Sequence, residues 1–85
     1  MKIRMTSQEI RQIYKEMLDE KKTLRSKKIW LNKWLKECEK QFKNYQEAIK
    51  RPLGQRWYLG EQIMGYDVRQ AEREIAIIKE IITTL

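Results

Sequence analysis

Twelve of the nineteen cationic side chains in this chain fall between residues 21 and 56, against three acidic ones, and all but the last few residues of that span lie in one helical stretch. Residues 1–20 balance at zero, and residues 57–85 carry a small negative excess. Trp30 and Trp34 sit inside the basic span and Trp57 just beyond it. Ammonium and guanidinium groups attract phosphates or acidic protein surfaces, and indole rings offer faces for stacking or anchors for a partner. The chemistry these residues suit is recognition rather than bond-making.

Two stretches concentrate it. In "KKIWLNKW", Lys27, Lys28 and Lys33 surround Trp30, with Ile29 and Lys36 nearby. Helical spacing turns Ile29 and Trp30 away from the main apolar stripe, while Trp34 lies beside that stripe and is expected in the core. In "RPLGQRWYLGEQIMGY", the single proline and all three glycines accompany Arg51, Arg56, Trp57 and Tyr58. Arginine and aromatic residues are the types enriched at binding hot spots. The plainer alternatives are that a folded-back N-terminal helix covers Trp30, and that Trp57, Tyr58 and Leu59 plug an open end of a bundle.

Catalytic and metal chemistry find little material. The chain has no histidine, so the usual general base and the Ser/His and Cys/His pairs are missing. Cys38 is the only cysteine and falls on the apolar stripe, where a thiol is a small core residue and has no internal disulfide partner. No zinc site, calcium loop or phosphate-cradling glycine loop is spelled. The expectation is a protein that is not an enzyme and needs neither metal nor cofactor. A lone cysteine, no apolar leader and no run long enough to span a bilayer point to the cytoplasm.

The elements that position these residues are helical. Thr6 and Glu9 form a capping box, flanked by Met5 and Ile10 as a hydrophobic staple, so a helix is predicted from about residue 7. Ile10, Met17, Leu24, Leu31, Cys38 and Tyr45 recur at sevens, with Tyr14, Leu35, Phe42 and Ile49 on a second line. This stripe reaches residue 50 and stops before Pro52. Lys21 and Lys28 interrupt it. The helix therefore either runs through as a rod about 65 Å long, favoured by the lack of glycine and proline, or breaks near residues 23–26 at a Thr23 or Ser26 cap, favoured by the short chain.

Met64, Val68, Ala71, Ile75, Ile78, Ile82 and Leu85 mark a final helix, at about 61–84, with Asp67 and Gln70 resembling a capping box and Gly65 read as a kink. The connector covers 51–60, or extends to 66 where the final helix starts at the Asp67 box. The fold class is all-α: an antiparallel helical hairpin or small three-helix bundle with coiled-coil-like heptad packing, in one domain over 1–85. A rod would leave Ile10, Ile13, Tyr14, Met17 and Leu18 without a partner in their own chain and would make the protein a dimer. A helix-turn-helix, with residues 55–64 and 67–84 as its paired helices and Arg69, Gln70 and Arg73 reading bases, is disfavoured because its turn is too short and the charge lies elsewhere.

The functional expectation is a small basic binding protein, a regulator or inhibitor that docks on nucleic acid or a nucleoprotein complex. The lysine and isoleucine bias, 23 of 85 residues, fits a phage or mobile-element source. The alternative is a protein-only adaptor or assembly factor whose apolar stripe takes a partner helix or a second copy.

Overall fold

The computed structural model describes residues 5–85; the first four residues of the expected domain, and the N-terminal part of the leader expectation, lie outside them. The chain is a compact three-helix fold, 46 × 20 × 20 Å, with α1 over Ser7–Asp19, α2 over Leu24–Ile49 and α3 over Gly65–Thr84. Thr6 caps α1, accepting the Glu9 N–H at 3.2 Å, and its hydroxyl donates to the Glu9 carboxylate at 3.2 Å. Met5 packs on the core that contains Ile10.

The helical stretch breaks. α1 closes with the Lys21 N–H on the Leu18 carbonyl at 2.9 Å. Two residues later Thr23 opens α2, accepting the Ser26 N–H at 3.0 Å and donating its hydroxyl to the Ser26 hydroxyl at 2.9 Å. A continuous rod would keep about four more helical hydrogen bonds, each contributing roughly 1 kcal/mol net. Folding back replaces some of these with cap bonds and buries Ile10, Tyr14 and Leu18, each such burial contributing about 1.5–3 kcal/mol. The buried area decides between the two forms, and no glycine is needed for the turn.

Folded back, α1 runs antiparallel to α2 and parallel to α3: Arg11 pairs with Glu80 at 2.9 Å, while Met5 meets Gln70 at 3.2 Å and Arg73 at 3.3 Å. The core gathers Ile10, Tyr14 and Leu18 from α1, Leu31 and Cys38 from α2, and Ile75, Ile77 and Ile78 from α3, with Trp30, Leu35 and Phe42 partly buried against it. Of the five residues expected as a self-association stripe, Ile10, Tyr14 and Leu18 are thus enclosed by their own chain, and Ile13 and Met17 stay exposed. The line of sevens is interrupted as well, because Met17 and Leu24 flank the turn and face solvent.

The connector departs most from expectation. Residues 55–64 contain no helix, which removes the first helix of the helix-turn-helix reading; instead Trp57–Tyr58 (β1) pairs antiparallel with Glu61–Gln62 (β2). Leu59 and Gly60 make the two-residue turn, both at positive φ, 51° and 80°, as a type I′ turn demands. The Ile63 N–H extends the ladder to the Arg56 carbonyl at 2.6 Å, and Ile63 is buried. α3 then starts at Gly65 rather than 61. Asp67 is its cap-box acid, but it accepts the Met64 N–H at 2.7 Å, so the box is Met64 with Asp67 and not Asp67 with Gln70.

Ile10 is 1% exposed and Ile13 41%, so the folded-back α1 separates two neighbours that a rod would treat alike. Ile10→Glu is expected to unfold the bundle, since an unpaired buried carboxylate costs several kcal/mol, while Ile13→Glu changes stability by about 0.5 kcal/mol or less. Urea titration of both variants, followed by circular dichroism, checks this.

Candidate functional site

α2 turns one side to the core through Leu31, Leu35, Cys38 and Phe42. At 100° per residue the opposite side is centred on Ile29, Lys33, Lys36 and Lys40, with Arg25 and Lys43 beside them. Its N-terminal half forms an open groove of about 610 Å³ lined by Leu24, Arg25, Lys28, Ile29, Asn32, Lys33 and Lys36. Four of the seven lining residues are cations and none is acidic; indeed residues 21–36 contain no Asp or Glu. Ile29 is 59% exposed at its centre. Asn32 is held by donating to the Lys28 carbonyl at 2.9 Å.

The residues expected to act together are divided among three places. Lys28 and Lys33 line the groove, joined by Arg25 and Lys36. Lys27 turns instead toward the end of the bundle, beside Arg11, Lys15, Asp19 and Glu80. Trp30 faces neither: it packs on the core under α1, tilted against Tyr14 with ring centroids 5.8 Å apart, and Lys21 lies 5.8 Å from its centroid. Trp34, expected in the core, is the half-exposed one at 41%. The two indoles stack, centroids 6.2 Å apart and planes within 6°.

The connector forms the third place. Arg51 donates to the Trp57 carbonyl at 3.2 Å, Arg56 to the Arg51 carbonyl at 2.8 Å, and the Trp57 indole N–H to the Gly54 carbonyl at 2.9 Å. Tyr58 accepts from the Asn44 amide at 3.0 Å and meets Tyr45 edge-on at 5.6 Å. Both arginines therefore lash the loop to itself. The connector also turns three large apolar side chains outward, Leu53, Trp57 and Leu59, beside the exposed Arg51, Gln55 and Glu61.

Beneath Trp34 lies a polar cluster that sequence reasoning missed. The Tyr14 hydroxyl donates to the Glu74 carboxylate, accepts the Trp34 indole N–H and lies 4.0 Å from the Cys38 sulfur. Burial, helped by the negative charge of Glu74, pushes the Cys38 thiol up to about 12. Burial first, and then the hydrogen bond to Glu74, raise the Tyr14 phenol far above its ordinary value as well. Both groups stay protonated near neutrality, and a thiol held in that form is a poor nucleophile. Among the described residues no group of three or more His, Cys, Asp or Glu is placed to hold a metal ion, and no helix is long and apolar enough to cross a membrane.

No family model, curated protein or solved structure matches the chain.

The raised Cys38 value carries a stability consequence. Between the ordinary thiol value and about 12, the folded chain keeps a proton that the unfolded chain releases, so stability falls as pH rises through that window. Tyr14 adds to the fall with the same sign. Cys38→Ala should lose less stability than the parent protein between about pH 8 and pH 11, measured by urea unfolding at each pH.

Proposed function

We propose that this protein is a small non-enzymatic binding protein that docks on nucleic acid, alone or within a nucleoprotein complex, through the outward face of α2. The observation that carries the reading is the acid-free groove from Leu24 to Lys36, where Arg25, Lys28, Lys33 and Lys36 surround Ile29. Cations grouped with no acid among them repel one another, so the arrangement costs folding energy and is relieved by an anionic ligand. A repeating polyanion answers the geometry better than one small anion, because the cations extend over about three turns of helix, roughly 18 Å from residue 24 to residue 36. Side chains of this kind contact phosphates and position the strand without reading sequence. A regulator or inhibitor would need no more than this, since occupying a strand blocks what else uses it.

The adaptor alternative rests on the apolar helical stripe, of which Ile10, Tyr14 and Leu18 are buried; an adaptor that uses the connector instead would draw on the exposed Leu53 and Trp57. That pair would anchor a protein partner, and the groove cations would then be spectators.

Salt dependence separates the two. Binding of a fluorescent oligonucleotide should weaken linearly on a log–log plot, and Lys28→Ala or Lys33→Ala should each lower the slope by about 0.7 for a single strand. Lys79→Ala, outside the groove, should leave it unchanged. Failure to bind any oligonucleotide at low salt would overturn the proposal.

A further inference from the structure

Between the β1–β2 turn and α2 lies a cleft of about 290 Å³ lined by Trp34, Glu37, Cys38, Lys40, Gln41, Tyr58 and Leu59. We infer that this cleft takes an unstacked nucleobase from single-stranded nucleic acid, stacked on Trp34 and closed over by Leu59; the inference rests on the phosphate-docking reading of the α2 groove.

Four observations converge on it. Trp30, one helical turn before Trp34, lies offset and nearly parallel to the Trp34 ring, centroids 6.2 Å apart. Cys38 and Gln41, one and two turns after Trp34, line the cleft and Trp30 does not; the cleft therefore lies on the side of Trp34 away from Trp30. The ring is fixed in plane by its indole N–H on the Tyr14 hydroxyl, so it is a preformed stacking surface that loses little freedom when a base arrives.

Charge leads to the same place. Lys36 ends the groove and Lys40, one turn further along α2, lines the cleft. A strand following the lysines passes the cleft mouth, and Lys40 can hold the phosphate beside the inserted base. A duplex keeps its bases stacked and presents none to such a slot.

Leu59 supplies the fourth observation. It is 83% exposed and holds φ 51°, a left-handed conformation that asparagine and glycine adopt far more easily. Folding gains nothing from a leucine there: the side chain is neither buried nor relaxed. An apolar wall facing Trp34 across a base-sized cleft gives the strained residue a role.

The test compares a single-stranded oligo(dT) of about twelve nucleotides with an abasic phosphodiester strand of equal length, titrated against the intact chain. Trp57→Phe as the background leaves Trp30 and Trp34 as fluorophores. The oligo(dT) should bind more tightly than the abasic strand and quench the emission. Trp34→Leu should weaken oligo(dT) roughly 5- to 150-fold, the worth of one stacked base, with the abasic strand and the salt slope unchanged. Leu59→Asn guards against a folding artefact, since it relieves strain and should raise the melting temperature while weakening oligo(dT) severalfold. Equal affinity for the two strands, insensitivity to Leu59→Asn, or a preference for duplex would overturn the inference and leave phosphate docking standing. Binding of neither strand would overturn both.

Discussion

A single hydroxyl joins the three helices. Tyr14 arrives on α1, accepts from Trp34 of α2, donates to Glu74 of α3 and touches the Cys38 thiol. Buried polar groups are costly unless partnered, and a cluster in which every member is satisfied selects one arrangement over its near neighbours. Packing of isoleucine and leucine contributes to placing α1, and the polar cluster adds a directional requirement. The Tyr14 hydroxyl meets its partners at one register only, and that register lays α1 over Trp30.

From this constraint the rest of the surface follows. With α1 in place, α2 has one side against its own chain and the other facing water, and the cations occupy the watery side. Burial also separates the two indoles that the sequence sets side by side. Trp30 becomes a packing residue under α1, whereas Trp34 is tied by its indole N–H and lines the cleft. Four residues of spacing are enough to give the same side-chain type opposite roles.

The elements readable in the sequence are those set by local rules. The Thr6 cap, the stop before Pro52, the all-helical class and the basic character of α2 come from caps, proline sterics and charge counts within a few residues. The break at 20–23 is spelled by Thr23, but choosing it over a rod requires comparing a few backbone hydrogen bonds with long-range burial of Ile10, Tyr14 and Leu18, which no local window contains. The hairpin was hidden for another reason. A two-residue I′ turn is normally announced by Asn-Gly or Asp-Gly, and Leu59-Gly60 carries only half the signal. Among the candidate residues, Lys28 and Lys33 fell in the groove, and a helical wheel alone could have added Arg25 and Lys36. No wheel could have found Tyr14 with Glu74, sixty residues apart in the chain.

Arg51 and Arg56 hold the connector together from within. A loop rich in arginine reads as a contact surface, yet each of these guanidiniums donates to a carbonyl within the connector, and Asn44 and Tyr45 hold Tyr58 against α2. These bonds fix a hairpin only two residues long on each strand, a size that has little stability of its own in water. Fixing it determines where its turn sits: alongside α2 at Glu37 to Gln41, with Leu59 across from Trp34. The arginines thus brace the connector from within, through bonds to its own carbonyls. The left-handed backbone at Leu59 sits in a hairpin held from both sides, by the arginine bonds to the connector and by the Tyr58 contacts to α2.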